Sequence, residues 1–166
     1  MGQYLHSPSP NTGEGPVLDR ILKNTASMTG EAFFNALVQN MAGVLQTQAA
    51  WVTELMVSRR QLRTLAFWAD GQLLDEMIID IDGTPCGDVI EMGEWVHFQN
   101  DILSHYPGNQ TLKRFNAASY MGVPLWGTDH QVMGHLAVMD ANPMPQDPES
   151  LKIFHIATVA LGSDDG

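Results

Sequence analysis

Three strand-length runs follow one another with no helix between them: Ala50–Val57, Gln61–Ala69 and Gln72–Asp80 are rich in Val, Ile, Leu, Thr and Trp. Strands joined by turns pair antiparallel, because a parallel neighbour needs a crossover of a dozen or more residues. Asp70-Gly71 sharpens the point, since Gly accepts the positive φ of a two-residue type I′ hairpin turn and fixes the second and third strands as an antiparallel pair. An antiparallel sheet exposes an apolar face that something must cover. The cover is legible just upstream, where Phe34, Leu37, Val38, Met41 and Leu45 form one stripe at helical spacing, with Thr29 as a cap and Glu31 in the first turn.

Between Val17 and Thr84 there is no proline, whereas six follow, so the second half divides into shorter pieces. Thr84-Pro85 reads as a cap and first helical position, opening a short helix through Cys86, Val89 and Ile90. Trp95–Phe98 reads as a brief strand and Asn109–Phe115 as a brief helix, with His105-Tyr106-Pro107-Gly108 turning between them. Ala118–Leu125 and Gln131–Asp140 are two further strands joined by a hairpin loop, and Asp147-Pro148 opens a strongly apolar last helix. The expected organisation is a flexible tail at 1–16, one domain over 17–162 that begins with a short amphipathic helix over Val17–Ser27, and a tail at 163–166. The fold class is α+β: a six-stranded antiparallel sheet with terminal helices on one face and short helices and loops on the other.

Charge narrows the partners. Eight Lys and Arg against 19 Asp and Glu leave the 166-residue chain at −11, which repels phosphate backbones and anionic lipid, so neither nucleic acid nor membrane is expected. One cysteine cannot form an intramolecular disulfide, no leader or membrane span is read, and a reducing, cytoplasmic setting follows as the expectation.

The order of Thr84-Pro85-Cys86, then Ser119-Tyr120-Met121-Gly122-Val123-Pro124-Leu125, then Gly134-His135-Leu136-Ala137-Val138-Met139-Asp140 resembles the GAF domain family of bacterial signalling proteins, over about Leu18–Leu161. The resemblance implies a GAF/PAS-like sheet, a sensory pocket under the short helices, and a homodimer formed through terminal helices. It also implies an output protein or domain such as a kinase, cyclase or transcriptional activator. From the residues alone, Pro124 is expected to end strand pairing, and Gly122 and Gly134 to allow close approach across the sheet.

Within that frame the candidate ligand contacts are Trp68, Val89, Phe98, Tyr106 and Tyr120 as pocket walls, with Trp95 weighed beside them, and Cys86 and His97 as polar contacts. No cofactor is named. Relatives that reduce free methionine sulfoxide use several cysteines, and Cys86 alone lacks a resolving partner. Asp80, Asp82, Cys86 and Asp88 do not match the spacing of iron-binding relatives, and Asp80-Ile81-Asp82-Gly83 is ordinary turn chemistry. His97, His105 and His135 offer imidazoles to a haem, yet His135 alternates with Met133, Ala137 and Met139 and reads as a structural histidine. The Asn-Lys dipeptide of cyclic-nucleotide relatives is missing, and Asp101-Ile102-Leu103 lacks the proline of the bilin motif. The expectation is a non-catalytic sensor. The alternatives are a ligand-free dimerisation module and a small redox enzyme using Cys86.

Overall fold

The computed structural model describes residues 30–163. The 1–16 tail, the Val17–Ser27 helix, the Thr29 cap and residues 164–166 lie outside that range. Helix α1 (Gly30–Leu45) buries Leu37, Val38, Met41 and Ala42, the stripe its spacing predicts. Strand β1 (Ala49–Met56) leads through a 3-10 turn over Val57–Arg59 into β2 (Gln61–Ala69), with Arg60 in the left-handed region at φ 52°.

The third run is one hairpin arm opened in the middle. It appears as β3 (Gln72–Leu73) and β4 (Ile78–Asp80). Both hold a single register to β2, with Trp68 opposite Leu73 and Leu62 opposite Ile79. The segment between stays tethered because Met77 donates its N–H to the Thr64 hydroxyl at 2.8 Å. Chain order then gives α2 (Pro85–Met92), β5 (Val96–Phe98), α3 (Ile102–His105), α4 (Gln110–Arg114), β6 (Ser119–Trp126), β7 (Val132–Asp140) and α5 (Pro148–Ala160). Helix α3 and the 3-10 turn are the elements sequence reading missed; each is a single turn, too short for a periodic signal.

Six strands run in the order β3-β2-β1-β7-β6-β5, with β4 also paired to β2, and the pairings are antiparallel. The fold is thus the expected α+β sandwich. On one face α1 and α5 cover the sheet: Leu37, Met41, Ile153 and Phe154 pack on Ala50, Val52, Leu136 and Val138. On the other, Val89, Ile102 and Leu112 of the three short helices cover Trp51, Phe67, Tyr120 and Met139. Fully burying one large apolar side chain contributes about 1.5–3 kcal/mol, so both layers are integral to the fold.

Close approaches fall at two expected glycines. A Cβ on Gly134 would sit 2.0 Å from the Thr53 carbonyl oxygen, and the Tyr120 ring lies back over Gly122. Pro124 corrects the expectation placed on it. It stays paired opposite His135 in β7, and β6 continues to Trp126. Its missing N–H costs nothing because β5 pairs with β6 only over Tyr120–Gly122 and ends before reaching it.

Candidate ligand-binding site

The short-helix face holds a cavity of about 280 Å³. Its floor comes from the sheet: Trp51 of β1, Phe67 of β2 and Met139 of β7. Trp51 and Phe67 are register partners, and their rings stack 4.8 Å apart at 5°. The walls are Ile79 and Asp80 of β4, the turn through Asp82 and Gly83 into α2, Cys86, and the segment from Gly108 to Leu112 that opens α4. Exposed Asp80, Asp82, Gly83, Gly108 and Gln110 form the rim.

Local chemistry holds those walls. Thr84 caps α2 as its sequence predicts: its hydroxyl accepts the Gly87 N–H at 2.9 Å and donates to the Asp80 carbonyl at 2.7 Å, tying the helix start to the end of β4. Asn109 caps α4 by accepting the Leu112 N–H at 3.0 Å. Arg60 bridges Asp82 at 2.7 Å and Glu91 at 2.9 Å, and its hydrogen bonds hold the Asp82 carboxyl below the usual carboxylate range.

Among the described residues, two buried nitrogens make no full hydrogen bond. Trp51 lines the cavity, but its Nε1–H is shielded from it and acts on the Cys86 thiol. His135, fully buried beside Trp51 with ring centroids 6.3 Å apart, has its Nδ1 2.6 Å from Thr53 Oγ1 and an unbonded Nε2. Thr53 Oγ1 also accepts the His135 backbone N–H at 3.1 Å, so one hydroxyl holds both the backbone and the ring of His135. Burial pushes the His135 pKa down to about 3, which keeps it neutral.

Cys86 is the one sequence-predicted site residue that lines the cavity. Burial pushes its thiol up to about 12, with the Tyr120 hydroxyl and the nearby Trp51 indole pulling in the opposite direction. Among the described residues its hydrogen-bond donor is the Tyr120 hydroxyl, so Cys86 is held as a neutral thiol.

Val89, Phe98, Tyr106 and Tyr120 lie on the same side of the sheet, in the cluster behind the cavity. Tyr106 donates to the Asp88 carboxylate, which ties the α3–α4 segment to α2. Trp68 and His97 are corrections: both sit on the opposite, long-helix side. Leu65 is an extra residue in β2 between the pairs Val52–Ala66 and Thr53–Thr64. That bulge shifts the alternation, turning Phe67 toward the cavity and Trp68 toward α1. In β5, alternation sends Phe98 to one face and His97 to the other, where His97 Nε2–H donates to the Met144 carbonyl at 2.8 Å. Trp95, weighed beside them, also lies with the long helices, edge-on to Phe154. Sequence reading missed Trp51, Phe67 and Met139; a register pairing Trp51 with Phe67 would have found the first two.

A family model for the GAF domain matches residues 29–161. The chain belongs to the GAF domain family. Among solved structures, the GAF domain of a Coxiella burnetii phosphoenolpyruvate-protein phosphotransferase has 16% identity and a TM-score of 0.69, covering 89% of this chain and 92% of that one. The Neisseria meningitidis free methionine-R-sulfoxide reductase in complex with its substrate also has 16% identity and a TM-score of 0.69, with 93% and 90% covered. A phycocyanobilin-bound GAF domain from a cyanobacterial phytochrome has 14% identity and a TM-score of 0.64, covering 93% and 95%. At these identities the likeness is one of fold. None of the curated proteins matches the sequence. Among the described residues no helix is long and apolar enough to cross a membrane, and no three His, Cys, Asp or Glu side chains are grouped to hold a metal ion.

Proposed function

We propose that this GAF domain is a non-catalytic sensor whose ligand is a small molecule held in the cavity between the sheet and α2 and α4. The observation that carries the reading is the stacked Trp51–Phe67 floor under a wall of polar groups, among them Thr84, Asn109 and Thr111: an aromatic surface faced by a few placed polar groups is the usual form of a small-molecule site. The buried thiol weighs against catalysis by Cys86, since a reductase cycle needs a thiolate and a second cysteine.

The sheet supplies the relay. Trp51, Phe67 and Met139 floor the cavity, while their strand neighbours Ala50, Val52, Ala66 and Val138 meet α1 and α5 on the far side. A ligand that favours one seating of the floor biases the packing of the terminal helices by its difference in affinity for the two states. In this reading the domain works in the cytoplasm as a homodimer through those helices, where Leu151 and Val159 of α5 stand exposed, and the shift is read by an output protein. Ligand-observed NMR against a fragment library tests the site. Binding that is lost in a folded Thr111→Trp variant supports it, and binding unchanged by that blockade places the ligand elsewhere.

A further inference from the structure

The cavity wall at the start of α4 belongs to a stretch of chain that is anchored at both ends. Ile102 and Leu112 are buried; the Ile102 N–H donates to the Ala118 carbonyl at 3.0 Å, and the Leu112 carbonyl accepts the Ala117 N–H at 2.9 Å. Between these anchors the hydrogen bonds turn inward. Ser104 bonds to the Asp101 carbonyl, the Asn109 N–H donates to the Tyr106 carbonyl at 3.0 Å, and the Asn109 side chain accepts the Leu112 N–H. Among the described residues, one hydrogen bond ties 103–111 to another element: the Tyr106 hydroxyl donates to the Asp88 carboxylate of α2. The apolar ties are few, with Leu103 partly buried in the cluster behind the cavity and the His105 and Tyr106 rings 4.7 and 5.7 Å from Phe98. Ser104, His105, Pro107, Gly108 and Gln110 are exposed. Such a stretch, thinly bonded and largely solvated, opens at a lower free energy than the helices and strands around it.

We propose that residues 103–111 form a strap over the cavity that opens about its anchors at Ile102 and Leu112, and that the Tyr106–Asp88 hydrogen bond is the latch that holds it shut. Gly108, Asn109, Gln110 and Thr111 of the cavity wall ride on the strap, so its opening widens the way from solvent to Phe67 and Met139 on the floor. The fixed side of the latch is α2, which is held to the sheet by buried Cys86 and Val89 and to the end of β4 by Thr84. A single bond to a carboxylate is strong enough to bias the strap toward closure and weak enough to break and reform. As the regulation of the same site this rests on the ligand-binding reading above, and it makes release of the latch the step that admits a ligand.

The test uses no ligand, so its failure is distinct from failure of the ligand-binding reading, which the Thr111→Trp blockade decides. The whole chain, its Tyr106→Phe variant and its Asp88→Asn variant are compared by native-state hydrogen exchange and by oxidation of methionine with hydrogen peroxide, mapped by peptide mass spectrometry. Tyr106→Phe keeps the ring against Phe98 and removes only the hydroxyl. It is expected to quicken exchange at the Asn109 and Leu112 amides by about tenfold, the scale of one charge-assisted hydrogen bond, with the Ile102 and Ala117 amides at the wild-type rate. Met139, wholly buried on the cavity floor, is expected to oxidise about tenfold faster as well, while Met41 of α1, wholly buried on the opposite face, keeps its rate. Asp88→Asn leaves a neutral acceptor and is expected to move both readouts the same way by less. Unchanged rates at Asn109 and Met139 in both variants overturn the latch. Faster exchange at Asn109 with unchanged oxidation of Met139 overturns the strap as the cover of the cavity. Equal acceleration at Met139 and Met41 reads a loosening of the whole fold and overturns the proposal too.

Discussion

Tyr120 of β6 donates its hydroxyl to the sulfur of Cys86 in α2 at 3.6 Å, both residues being buried. The contact exists because the Tyr120 ring folds back over Gly122, where a Cβ would meet its hydroxyl oxygen at 2.5 Å. Burial raises the Tyr120 pKa well above the phenol range, with Cys86 adding to the rise. A neutral phenol and a neutral thiol therefore join α2 to the sheet beside the cavity.

The thiol is accordingly inert while the protein is folded. At pH 8 the native protein is expected to react with a disulfide reagent about three orders of magnitude more slowly than the unfolded chain, from the loss of thiolate alone. One thiol per chain then appears in guanidinium. Because the folded pKa is raised, this group's stabilising contribution is whole below about 9 and is lost as pH climbs toward about 12. Rapid labelling of native protein at pH 8 contradicts the assignment.

His135 gives the opposite sign. Its folded pKa, about 3, lies below the ~6.5 of an unfolded histidine, so the unfolded state takes up the proton first. Stability is full above about 6.5 and falls with acidification toward 3, by on the order of 3 kcal/mol at pH 4. Urea midpoints from pH 7 to pH 4 should therefore drop more steeply in the wild type than in His135→Gln. Parallel curves count against a buried neutral imidazole.

Much of the fold was legible because its signals are local. Asp70-Gly71, the Thr84-Pro85 cap and the Asp147-Pro148 start each act within a few residues, and the structure has a tight turn and two capped helices there. The site was less legible because it depends on parity. One extra residue at Leu65 moved Trp68 to the far face, and alternation in β5 separated His97 from Phe98. The floor residues Trp51 and Phe67 become neighbours only through pairing register, which no local pattern encodes.

The two glycines Gly134 and Gly43 should respond oppositely to alanine. Gly134→Ala forces a methyl to 2.0 Å from the Thr53 carbonyl oxygen, inside the β1–β7 ladder, and is expected to cost about 3 kcal/mol or more. Gly43 lies exposed within α1 with nothing within 4 Å of an added Cβ, so Gly43→Ala should stabilise by about 0.5–1 kcal/mol. Denaturant midpoints read both.

Thr84→Ala tests the wall directly. Losing the α2 cap is expected to cost about 1 kcal/mol, and losing the bond to the Asp80 carbonyl frees the turn that carries Asp82. Hydrogen exchange should quicken at Gly87 and Asp88, while the α1 and α5 amides keep their protection.

The most direct measurement of the central claim uses the four tryptophans as reporters. In a ¹H–¹⁵N spectrum the Trp51 indole reads the cavity, while Trp68 and Trp95 read the long-helix face and Trp126 the β6–β7 hairpin. Trp51→Phe assigns the first signal. Fragments added in turn are predicted to move the Trp51 indole and the Cys86 and Leu112 amides most, with smaller shifts at Trp68 and Trp95 where the relay reaches α1 and α5. A Trp51 signal that no fragment moves, or binders that shift Trp95 and Trp126 instead, would contradict a ligand site on this face of the sheet.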